Sequence, residues 1–117
     1  MNWTDAIQLC KDVGGKLLEI DSTEENWDVA SILDSLGYIE RHFCWWLGVT
    51  DAETEGEWRL ASNGLVPQYL NFAPGEPNDS EGNEDCAICA DGTGWNDVGC
   101  HVTGGGWCAS HSPICEK

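Results

Sequence analysis

Apolar positions recur at helical spacing twice near the start of the chain and at strand spacing thereafter. Trp3, Ile7, Cys10 and Val13 fall near one face of a helix predicted over Thr4 to Val13, with Thr4 as its cap and Gly14-Gly15 as its stop. Leu17, Leu18 and Ile20 form a short strand-like run. Ser22-Thr23-Glu24-Glu25 is a capping box that opens a second helix, with Trp27, Ala30, Leu33 and Leu36 as its apolar face and Gly37 as its stop. Trp45 to Val49, Glu57 to Leu60, Cys86 to Ala90 and Pro113 to Glu116 then read as strands. Asp91-Gly92-Thr93-Gly94 turns the third of these into the Trp95 segment. Between Leu60 and Cys86 periodicity disappears into a stretch rich in Asn, Gly, Pro and acids, and a loop of that length is functional or disordered.

The 117 residues suffice for one domain, taken as 1–117, and a hydrophobic fraction of 41% supports one modest core. Against 21 acidic residues stand 5 basic ones, a formal net charge of −16 that repels phosphate backbones and excludes nucleic acid as a partner. The acids are interspersed with seven tryptophans and seven cysteines, so this is not a solvated acidic tail. The cysteines point to disulfides and a secreted or extracellular setting. No apolar run is long enough for membrane insertion, and no signal peptide is visible after Met1, which suggests a mature fragment or a piece of a longer ectodomain. Asn2-Trp3-Thr4 is an N-glycosylation sequon, a weak sign of secretion.

Among cations, calcium best suits clustered carboxylate and amide oxygens, of which it takes six to eight. The long loop offers Glu76, Asn78, Asp79, Glu84 and Asp85; Asn96 and Asp97 follow Trp95; Asp51 and Glu55 follow the Trp46 strand. In order, Trp46-Leu47-Gly48-Val49, Thr50-Asp51, Thr54-Glu55-Gly56, Glu76-Pro77-Asn78, Glu84-Asp85-Cys86, Trp95-Asn96-Asp97 and Ile114-Cys115-Glu116 resemble the motifs of the C-type lectin domains over nearly the whole chain.

The resemblance implies an α+β fold with two helices, small antiparallel sheets and a long calcium-binding loop. The family's opening strand has no counterpart before the first helix. It further implies a sugar-binding calcium held by Glu76, Asn78, Glu84, Asn96 and Asp97, and a second calcium held by Asp51, Glu55, Asp79, Glu84 and Asp85. Glu76-Pro77-Asn78 is the family's mannose-type tripeptide, so mannose, fucose, glucose and N-acetylglucosamine are the expected ligands. The domain is expected to act as an oligomer or within a larger ectodomain. The alternative within the same fold is a domain that binds a protein or ice, with calcium only structural.

The resemblance also implies the bridges Cys10–Cys115 and Cys86–Cys100. Cys108-Ala109-Ser110-His111 resembles the family segment after the latter cysteine too, which leaves Cys86–Cys108 open as an alternative. Cys89 would then pair with whichever of Cys100 and Cys108 remains, leaving Cys44 odd.

Enzymatic readings are weak. Cys86-Ala87-Ile88-Cys89 has redox or zinc spacing without the strand-to-helix context, His42, His101 and His111 lack zinc spacing, and no nucleophilic triad is present. A carboxylate pair such as Glu76 and Glu84 would suit a glycosidase, but a carboxylate committed to calcium is a poor general acid. Trp3, Trp27, Trp46 and Trp58 are expected in the core, and Trp107 is the expected exposed platform for a sugar ring.

Overall fold

The computed structural model describes residues 1–38, 41–73, 76, 84–89, 94–105 and 108–116. Helix α1 spans Trp3–Asp12, one residue earlier than its predicted start. Its cap is Asn2, not Thr4: Asn2 Oδ1 accepts from the Asp5 N–H at 2.8 Å, satisfying an N–H that the helix itself cannot. Strand β1 is Lys16–Leu17, and α2 runs Thr23–Ser35 from the expected capping box, with Ser22 Oγ accepting from Glu25 N at 3.0 Å.

The buried face of α2 differs from the one expected. Trp27 and Leu36 are 65% and 57% exposed, whereas Asn26 and Leu33 are buried and Val29 packs against the core. The helix is rotated so that a polar residue faces inward in place of the tryptophan.

Strand β2, Phe43–Thr50, is buried on both sides along its length. Successive side chains point to opposite faces, so β2 divides the core in two. Trp45, Leu47 and Val49 meet Leu18, Leu33, Trp58 and Trp95 on one side. Cys44 and Trp46 meet Ala6, Cys10, Leu17, Cys86 and Ile88 on the other. Trp3 packs against this second cluster and donates its indole N–H to Leu47 O at 2.9 Å. Gly48 lets the β1 segment lie directly on β2, since a Cβ there would sit 2.8 Å from Leu17 O.

Strands β3 (Arg59–Leu60), β4 (Cys86–Cys89), β5 (Trp95–Val98) and β6 (Ser110–Ser112) build the larger sheet around β2, in the order β3-β2-β4-β5 with β6 also pairing β2. The β6 pairing is parallel, and β6 was not among the predicted strands. Strand β7, Cys115–Glu116, pairs antiparallel with β1 in a separate two-stranded sheet. Ala90 and the turn residues 91–93 lie outside the described residues.

Cys10–Cys115 and Cys86–Cys100 form as the resemblance implies. The third bridge corrects the remaining expectation, because Cys44 pairs with Cys108 and Cys89 stays a buried thiol. The reason is the strand period. Cys86 and Ile88 face the cluster containing Cys44, Cys100 and Cys108, whereas Cys89 projects into the opposite one. Cys86 and Cys89 therefore cannot act together as a redox or zinc pair.

Candidate functional site

Three chain segments meet at the end of β2. Thr50 lies opposite Cys86, which sets Asp51 beside Asp85: Asp51 N–H donates to Asp85 O at 3.2 Å, and Thr50 Oγ1 donates to the same carbonyl. The following turn brings Glu55 back and closes at Gly56, whose positive φ of 83° favours glycine and whose N–H donates to Asp51 Oδ2 at 3.0 Å. One carboxylate oxygen from each of Asp51, Glu55 and Asp85 then lies within 4.8 Å of the others.

Asp51 is 3% exposed, and its Oδ1 is buried with no hydrogen-bond donor against it among the described residues. Glu55 is exposed and Asp85 half-buried, and a cation at the three oxygens would offset the mutual repulsion of neighbouring carboxylates. The site therefore has the chemistry of a hard-cation site, all oxygen and all acidic, and the residues fit calcium. Glu84, half-buried, directly precedes Asp85. Asp79 lies outside the described residues.

The residues expected around the sugar-binding calcium are placed as follows. Asn96 and Asp97 sit on β5 opposite Ile88 and Ala87; by strand alternation Asn96 is exposed and Asp97 is 1% exposed. Glu76 is half-buried, and its N–H donates to Ala73 O at 2.8 Å. Among the described residues Glu76, Glu84 and Asp97 do not converge as Asp51, Glu55 and Asp85 do. Asn78 and Trp107 lie outside the described residues.

The β5 side is held by Trp95. Its N–H donates to Asn71 O at 2.7 Å and its carbonyl accepts from Ala73 N at 2.9 Å, which fastens the long loop to the strand. Tyr69 and Phe72 present ring edges to its indole at 5.7 and 5.8 Å. The contact is close because residue 94 is glycine: a Cβ there would lie 2.7 Å from Ala73 Cα. The indole N–H donates to Asn26 Oδ1 at 3.2 Å inside the core. Neither Asn26 nor Gly94 was singled out from sequence. An inward polar residue at the spacing of Val29 and Leu33 was the available signal for Asn26.

A second acidic group lines a cavity of about 310 Å³ with Lys16, Asp21, Glu25, Leu65, Val66 and Glu116. Burial, followed by the hydrogen bond and charge of Asp21, pushes Glu25 up to about 7. Glu19 at its floor is buried but satisfied, accepting from Lys16 Nζ at 3.0 Å and from Ser62 N and Oγ at 3.1 Å. His111 is buried against Trp46, and burial holds it below the usual imidazole range. No helix among the described residues is long and apolar enough to cross a membrane.

The Lectin C-type domain family model matches residues 1–109. The Perlucin-like protein of Mytilus galloprovincialis is 36% identical over 86% of this chain, and the human CD209 antigen 34% identical over 99%. The chain spans 64% of the first relative and 28% of the second. Among solved structures, the mouse scavenger receptor C-type lectin carbohydrate-recognition domain has a TM-score of 0.74 at 30% identity, covering 86% of this chain and 75% of that one. The cow CD23 carbohydrate-recognition domain, solved in the presence of a GlcNAc2Man3 oligosaccharide, has a TM-score of 0.66 at 32% identity, covering 86% and 71%. A calcium-independent type II antifreeze protein also matches, with a TM-score of 0.74 at 26% identity, covering 98% of this chain and 77% of that one. The chain belongs to the C-type lectin domain family, with its α+β fold.

Proposed function

We propose that this domain binds mannose-type glycans in a calcium-dependent manner, outside the cell. The observation that supports the calcium dependence is the meeting of Asp51, Glu55 and Asp85, with Asp51 Oδ1 buried and without a donor among the described residues. In this reading Asp51, Glu55, Asp79, Glu84 and Asp85 hold one calcium, and Glu76, Asn78, Glu84, Asn96 and Asp97 hold the one at the sugar. A bound calcium supplies a hard cation with positions left for hydroxyl oxygens. Glu76 and Glu84 accept the protons of two vicinal hydroxyls, and the Asn78 and Asn96 amides donate to their remaining lone pairs. Glu76-Pro77-Asn78 supports equatorial 3- and 4-hydroxyls over the axial 4-hydroxyl of galactose.

Three bridges in one small domain support an oxidising, extracellular setting. The longer relatives support action within a larger or oligomeric protein. Binding on a glycan array with calcium, abolished by chelator, together with a melting temperature raised by millimolar calcium, is the expected result. A melting curve indifferent to calcium would sink the reading. The match to a calcium-independent antifreeze protein favours a second reading, in which the fold binds ice or protein. That reading gives an empty array and ice or protein binding that survives chelation.

A further inference from the structure

Trp95 immediately precedes Asn96 and Asp97, and its backbone is held on both flanks. It faces Cys89 of β4 on one side, and bonds Asn71 and Ala73 of the long loop on the other. Ala73 in turn accepts from Glu76 N–H. The indole is 1% exposed and carries one polar hydrogen, which donates to the oxygen of Asn26, itself 5% exposed. A buried N–H left without an acceptor is penalised, which favours the ring orientation that gives it one. Turning the ring away from Asn26 would also break its edge contacts with Tyr69 and Phe72, on which the loop is seated.

We infer that Asn26 is a positioning residue for the binding site: from α2 it fixes the Trp95 ring, and through it both the Asn96–Asp97 pair and the arm leading to Glu76. The assignment of Glu76, Asn96 and Asp97 as ligands rests on the proposed lectin reading; the clamp does not.

The test compares Asn26→Leu, which removes the acceptor at similar volume, with Leu33→Ala on the same helix and in the same core cluster. Two readouts are taken: hydrogen exchange at the Ala73 and Trp95 amides, and mannose affinity at saturating calcium. Asn26→Leu is expected to speed exchange at both amides and to weaken mannose about ten-fold. Asn26→Asp, which keeps an acceptor oxygen, is expected to recover both. Leu33→Ala is expected to lower the melting temperature without either effect. Equal effects from Asn26→Leu and Leu33→Ala would overturn the inference, since stability alone would then account for them. Should Asn26→Leu fail to fold, Trp95→Phe removes the donor of the same bond and is read identically. If the wild-type protein binds no mannose in calcium, the lectin reading fails, and exchange alone decides: faster exchange supports the clamp, unchanged protection overturns it.

Discussion

Removing the Cys44–Cys108 bridge by the double substitution Cys44→Ala, Cys108→Ala should destabilise the fold strongly and leave the site chemistry intact. The bridge closes a segment of 64 residues. Because Cys10–Cys115 already ties the two ends of the chain, the effective loop shortens to roughly 40 residues, for which denatured-state entropy gives about 4 kcal/mol. Losing two buried sulfurs adds about 1 kcal/mol of packing. Such a loss lies at the lower end of the stability of a domain this size, and corresponds to a fall in melting temperature of order 15 °C. Guanidinium titration of both proteins in calcium, with the bridges mapped by mass spectrometry, measures it. Below the transition the variant should keep its sugar affinity, since neither cysteine contributes an oxygen to the site. A loss under about 1 kcal/mol would refute the entropy argument. A peptide map linking Cys89 to Cys108 would refute the pairing itself.

Three further outcomes are expected. Glu76→Gln with Asn78→Asp should weaken mannose binding and move preference towards galactose on an intact fold, measured by sugar inhibition; unchanged mannose preference would place selectivity elsewhere. Glu25 holds its proton in the folded state between the ordinary 4.5 and about 7, so its contribution is full below 4.5 and lost as pH rises through 7. Glu25→Gln should therefore flatten the fall in melting temperature between pH 5 and 8, and an unaltered fall would contradict this. Gly94→Ala forces a Cβ within 2.7 Å of Ala73 at a φ of 155°, and should cost about 2 kcal/mol in denaturant unfolding.

The helices were legible because their ends are written locally, in the Ser22 to Glu25 box and in Gly14 and Gly37. The rotation of α2 was not. Hydrophobicity ranks Trp27 above Asn26, and the indole N–H that the buried amide oxygen accepts belongs to a residue 69 positions away. Strand β6 was missed because Ser110-His111-Ser112 carries no apolar alternation and owes its place to the edge of β2 and to the Cys44–Cys108 bridge. The cysteine pairing was closer to reach. Residues 86 and 89 on one strand must face opposite ways, and that already separates Cys89 from the partners of Cys86.

The acids show the same division between what residue type encodes and what only folding assembles. Metal chemistry restricts side-chain type, but it was the resemblance to the C-type lectin motifs that singled out Asp51, Glu55 and Asp85 from 21 acidic residues before any geometry was known. Their meeting depends on Thr50 lying opposite Cys86 and on the turn at Gly56, neither of which marks itself as part of a site. Within the trio Asp51 alone is buried, with Glu55 exposed and Asp85 half-buried, in a chain of charge −16. Among the described residues most carboxylates are exposed, and buried Glu19 has Lys16 and Ser62. Asp51 Oδ1 is withdrawn from water with no donor among the described residues, and a cation shared with Glu55 and Asp85 would offset the charge gathered there.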